Sequence, residues 1–124
     1  MEALLERTNV SRTEVVAKAL FNIKDELDLS NDVVGQIIGA DPATVSRMRK
    51  KMDMKENKVF EASVLMIRVY RSLYTILGGS TEAMQHWLTT NNVDFDQQKP
   101  LDKMKTIVGL VNTVEYLDAM RGHA

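Results

Sequence analysis

The chain has 124 residues, no cysteine and a formal net charge of −1, and 44% of it is hydrophobic and 27% charged. That length suits one compact domain or two small lobes sharing a core, and the composition excludes a disordered chain. The missing cysteines exclude disulfides, thiolate nucleophiles and the usual structural zinc sites, and the near-neutral charge confines any affinity for nucleic acid to a local patch.

The opening stretch MEALLERTNV begins with acid and lacks the basic, apolar and small-residue order of an export signal, which predicts a cytoplasmic protein. Its first ten residues show no strong pattern. From Ser11 the signal sharpens: Ser11 and Glu14 form a capping box, and Val16, Leu20, Ile23 and Leu27 recur at helical spacing. This predicts an amphipathic helix that stops near Asp28, where Asp25, Glu26 and Asp28 oppose the negative end of the helix dipole.

Ser30 or Asn31 then caps a short second helix whose apolar residues are Val33, Val34, Ile37 and Ile38. The run DVVGQIIGADPATVSRMRKK, Asp32 to Lys51, carries the spacing of a helix-turn-helix. Gly35 lets two helices approach, Gly39 takes the turn and Val45 plugs the pair. Asp41 suits the N-cap of the second of these helices and Pro42 its first position, where a missing N–H is harmless. Ala40, Val45 and Met48 face inward, while Ala43, Thr44, Arg47, Lys50 and Lys51 lie largely on the other side. Four of the five residues from Arg47 to Lys51 are basic, and no acid lies between Asp41 and Asp53. A basic run by itself is as readily a solvated face, but this one ends a turn motif that presents a helix to double-stranded DNA. Thr44 and Arg47 are the candidates for base edges, Ala43 for a thymine methyl, and Ser46, Arg49, Lys50 and Lys51 for phosphates.

A second capping box, Asp53 with Glu56, predicts a long helix from about Met54 to Leu77, closed by Gly78 in a left-handed conformation. Its apolar stripe is so broad that it must be covered on most sides, by the two ends of the chain or by another subunit; a homodimer is the expectation. The apolar run within it, Ala62 to Ile67, is interrupted by Ser63 and closed by Arg68, far short of a membrane span. Ser80 caps a helix over Thr81 to about Thr90, with Ala83, Met84, Trp87 and Leu88 inside and the lone tryptophan in the core. Asn91 and Asn92 end it, Pro100 starts a short turn, and Ile107, Leu110, Val111, Val114 and Leu117 mark a last helix to about Met120, followed by a free RGHA tail. Nothing alternates as a strand does. The prediction is an all-α fold, a small helical bundle with a helix-turn-helix lobe over 1–53 and a second helical lobe over 54–124.

No catalytic constellation emerges. Glu82 and His86 share a helix face without a third ligand, His123 sits beside the C-terminus, and Gly78, Gly79 and Ser80 lack the lysine of a phosphate-binding loop. The eight methionines suit core filling. No enzyme activity, metal or cofactor is expected.

The chain resembles the Xre/MbcA/ParS antitoxin family, on Gly35, Gly39 and the ATVSR of Ala43 to Arg47 in the first half. In the second half the resemblance lies in Trp87 and Leu88, then Asn91, Asn92, Pro100, Leu101, Gly109, Val114, Leu117 and Gly122. It departs at DFDQQK, residues 94–99, where the family commonly has a glycine-containing segment. The resemblance implies a bacterial type II antitoxin whose second lobe binds a cognate toxin, most often of the RES kind that consumes NAD, or a related ADP-ribosylating or NAD-phosphorolysing enzyme. It also implies that the last residues, here Arg121, Gly122, His123 and Ala124, enter or cover the toxin's active site. On this reading the protein is a homodimer that represses its own operator. The alternatives are a stand-alone regulator whose second lobe dimerises or senses a ligand, and an interaction module with a vestigial helix-turn-helix.

Overall fold

The computed structural model describes the backbone of residues 2–122 and the side chains of residues 12–122. They form seven α-helices: α1 (Glu2–Glu26), α2 (Asn31–Ile38), α3 (Pro42–Lys51), α4 (Lys58–Ile76), α5 (Thr81–Thr89), α6 (Pro100–Lys103) and α7 (Ile107–Gly122), with a 3₁₀ turn at Val93–Phe95. The fold is all-α. Extended pairing among the described residues is limited to one isolated antiparallel bridge, Asn92 with Gln98.

Two predicted helix starts are corrected. Ser11 lies inside α1, which already begins at Glu2, so the Ser11–Glu14 box does not open the helix; the preceding segment is rich in alanine, leucine and glutamate, all good helix formers. The Asp53–Glu56 box does not open α4 either. Asp53 accepts the N–H of Met54 at 2.8 Å, Glu56 pairs with Arg12 at 3.1 Å, and Asn57 is the cap, accepting from the N–H groups of Val59 and Phe60. Elsewhere local chemistry holds. Ser30, of the two candidates, caps α2 through the Val33 N–H, Asp41 caps α3 through the Thr44 N–H with Pro42 in the first turn, and Ser80 caps α5 through the Ala83 N–H. Such caps are each worth about 1 kcal/mol.

The α2–α3 turn explains its glycines. Gly39 takes the left-handed conformation at φ 80°, and a Cβ on Gly35 would stand 2.2 Å from the carbonyl oxygen of Ala40. Val45, fully buried, fills the angle between the two helices.

Helix α4 is the spine, packing on α1 and α2 along one side and on α7 along the other. Its buried residues include Phe60, Met66, Ile67, Val69 and Leu73; they meet a core of Leu20 and Phe21 from α1, Val34 and Ile38 from α2, and Leu110, Val114 and Leu117 from α7. Each fully buried side chain of this size contributes about 1.5–3 kcal/mol. Much of the α4 stripe is thus met by helices of its own chain, while Tyr74 stays about half exposed. Of the predicted α7 stripe, Ile107 falls outside the core and is exposed, as is its neighbour Val108. The three buried polar residues among those described are satisfied within the fold: Ser63 and Thr113 donate to carbonyls one turn earlier, and Ser72 bonds across to α7.

Candidate nucleic-acid interface and partner surface

On α3 the buried side chains are Val45 and Met48, which anchor the helix to the core. Around them Ala43, Arg47, Lys50 and Lys51 are exposed, and Thr44 and Ser46 are half-buried. Arg47 donates from Nη2 to Thr44 Oγ1 at 3.0 Å, so the two candidate base readers are already aligned on one face. The carboxylate of Asp41 is held below its ordinary pKa, first by the Thr44 N–H and then by the Thr44 side chain, which keeps the cap ionised. A groove of about 490 Å³ runs beside this face, between Thr44, Arg47 and Lys51 on α3 and Lys55, Asn57 and Val59 at the start of α4.

Arg49 departs from its predicted place. Its guanidinium grips Asp25 with two bonds of 2.8 Å and lies 5.4 Å from the centre of the Phe21 ring, so it braces α3 against α1 instead of standing free for a phosphate. The hydrogen bond from Arg49 holds the Asp25 carboxyl below its usual range, and the same bond raises the pKa of Arg49. The next residue, Glu26, ties down the other half of the molecule. It accepts from the hydroxyls of Tyr70 on α4 at 2.5 Å and Thr81 on α5 at 3.1 Å, and Gln85 donates to its carbonyl at 3.5 Å. The acids at the end of α1, predicted to stop the helix, thus also bind the elements packed around it.

In the C-terminal half, Trp87 is half-buried at the rim of the core, not inside it. Its ring meets the edge of Phe95, which in turn packs on Tyr116, with ring centres 5.8 and 4.9 Å apart. Phe95, from the stretch where the sequence departs from the family, is fully buried, and Tyr116 donates to Asp94 at 2.8 Å. That hydrogen bond raises the phenol's pKa and fixes the 3₁₀ turn against α7. A groove of about 600 Å³ follows α5, walled by Trp87, His86 and Asn91.

A second groove, of about 580 Å³, lies between α4 and α7 and is lined by Arg68, Tyr70, Arg71, Tyr74, Thr75, Asp118 and Arg121. Arg68 pairs with Asp118 at 2.5 Å. Arg121 donates to the buried Ser72 hydroxyl at 3.2 Å, and Ser72 donates on to Asp118 at 3.4 Å. The tail residues therefore divide: Arg121 and Gly122 complete α7 and are exposed, while His123 and Ala124 lie outside the described residues. Sequence reasoning named Arg121 but missed Arg68 and Arg71, which share this groove with it. The visible signal was the i, i+3 spacing of Arg68 with Arg71 and of Asp118 with Arg121, which puts each pair on one helix face.

A capped, basic second helix set by a glycine turn on one side of α4, and a helical lobe with its own grooves on the other, define a two-lobed regulator of the helix-turn-helix class. Residues 6–68 match the antitoxin Xre-like helix-turn-helix domain, and residues 72–122 match the antitoxin Xre/MbcA/ParS C-terminal toxin-binding domain. The chain belongs to the Xre/MbcA/ParS antitoxin family, and its two domains mark it as a type II antitoxin with DNA and a toxin as its partner classes. The two matches meet within α4, which both halves share as their core helix. No individual curated protein matches the chain. No helix among the described residues is long and apolar enough to cross a membrane.

Proposed function

We propose that this antitoxin neutralises a RES-like, NAD-consuming toxin through its C-terminal lobe and represses its own operon through α3. The observation that carries the reading is the union of the two matched domains on a single α4 spine, with an exposed basic face on the helix-turn-helix side. In this reading Arg47 and Thr44 read base edges and Ala43 meets a thymine methyl. Ser46, Lys50 and Lys51 hold phosphates, which give affinity without sequence information. Arg49, engaged with Asp25, is withdrawn from the phosphate set. The tail, Arg121 and Gly122 continuing into His123 and Ala124, covers the toxin's active site.

A homodimer presents two α3 helices to half-sites about 34 Å apart, one turn of DNA. Co-expression with the neighbouring reading frame tests the main claim: the neighbour is expected to be toxic alone, harmless beside this protein, and to co-purify with it. A neighbour harmless on its own, or still toxic beside the antitoxin, removes the reading. A salt titration of binding to the upstream DNA tests the second function, because real phosphate contacts give a steep loss of affinity with salt.

A further inference from the structure

Six arginine side chains are described, and three of them, Arg12, Arg49 and Arg68, pair with a carboxylate of the chain itself. Arg47 stands on the exposed face of α3. The remaining two, Arg71 and Arg121, share the α4–α7 groove, where Asp118 is the only carboxylate in the lining among the described residues and is already bonded to Arg68 and Ser72. Arg71 has no side-chain partner among the described residues. Among the described residues three guanidinium groups against one carboxylate leave the groove two positive charges in excess, and like charges one helical turn apart on α4 repel unless an anion lies between them.

The groove is also shaped. Arg121 is braced by a serine that is almost wholly buried, and Arg68 by Asp118, so both forks are oriented before any ligand arrives. Tyr70 and Tyr74 stand beside them with ring centres 6.0 Å apart, and Tyr74 is about half exposed. Fixed guanidinium forks recognise carboxylates bidentately, and neighbouring aromatic faces give flat surface for a peptide backbone.

We infer that the α4–α7 groove is the receptor for an acidic segment of the toxin, with Arg71 and Arg121 taking its carboxylates and Tyr74 packing on its backbone. The toxin-binding surface then extends from the tail onto α4, and the toxin contributes a segment to the antitoxin as well as receiving one. This inference rests on the antitoxin reading above.

The test is the affinity of the full chain for the protein encoded beside it. Arg71→Glu is expected to weaken the complex at least ten-fold, Arg71→Ala less, and Arg71→Lys least. The reversal Lys58→Glu, at an exposed position on the first turn of α4 away from the groove, is expected to change it less than two-fold. Arg71 is exposed, so melting temperature is expected to stay close to the parent and to separate lost binding from lost folding. An Arg71→Glu complex within two-fold of the parent overturns the groove while leaving the antitoxin reading intact. An equal loss in Lys58→Glu also overturns it, because the attraction is then diffuse. If the parent itself forms no complex, both readings fall.

Discussion

On α3 the cations Lys50 and Lys51 are exposed and make no ion pair among the described residues, whereas in the α4–α7 groove Arg68 and Arg121 are fixed by Asp118 and Ser72. Both faces are positive, yet they suit different ligands. A lysine ammonium on a flexible stem adjusts to whichever phosphate is nearest, which is adequate for a repeating backbone. A braced guanidinium fork instead rewards a carboxylate in one place. Within α3 the same division recurs: Arg47 is tied to Thr44 by a hydrogen bond, and Lys50 and Lys51 are left loose.

The largest expected effect concerns whether the two halves fold separately at all. A Cβ on Gly109 would stand 1.9 Å from the carbonyl oxygen of Lys103, where α7 starts close against α6. Gly109→Ala is expected to destabilise by about 3 kcal/mol, the upper end of overpacking penalties. Because α4 is core to both halves, urea unfolding should remain a single transition that takes α3 with it. Two transitions, only one of them shifted, show the halves to be independent.

Next in size is Arg47→Ala. It is expected to lower operator affinity by about 1–3 kcal/mol and to relax preference at one base position, whereas Lys50→Ala should weaken all sequences alike. Binding to an operator and to scrambled DNA at one salt concentration separates the two roles, and equal losses on both DNAs remove Arg47 from the readers.

How much of this was visible in the chain depends on how local the cause is. Asp41, Pro42, Gly39 and Val45 act within a few residues of themselves, so the turn and the recognition helix could be placed from spacing alone. Asn57, the true cap of α4, was eclipsed by the better-known box pattern of Asp53 and Glu56. Glu56 is instead drawn off by Arg12, 44 positions earlier in the chain, which no spacing rule anticipates. Arg49 reads as a DNA cation for the same reason, since Asp25 lies 24 residues away. The α4–α7 groove was hidden because its charges come from helices that only tertiary packing brings together.

A smaller effect concerns Arg49. Asp25→Asn removes the charge that holds it, and the freed guanidinium can turn toward the DNA. Operator affinity is expected to rise, and the slope of its logarithm against the logarithm of salt to steepen by about one contact. An unchanged slope leaves Arg49 a purely structural residue even when released.

The least effect at neutral pH, and the one most specific to the joint between the two halves, concerns Tyr70. Burial first, and then its hydrogen bond to Glu26, push its phenol up to about 12. In the unfolded chain a tyrosine titrates near 10. The native state therefore favours the neutral phenol, so this stabilisation is complete below pH 10 and is lost as pH rises toward 12. Stability should fall across that window, and Tyr70→Phe should flatten the fall. Tyr116, raised in the same direction by its bond to Asp94, leaves a residue of the slope in that variant. Glu26→Gln weakens the acceptor and should bring the Tyr70 phenolate band in at lower pH, readable by ultraviolet titration. A Tyr70 titration that is indifferent to Glu26 makes burial alone the cause, and the contact between α1 and α4 is then packing without a polar latch.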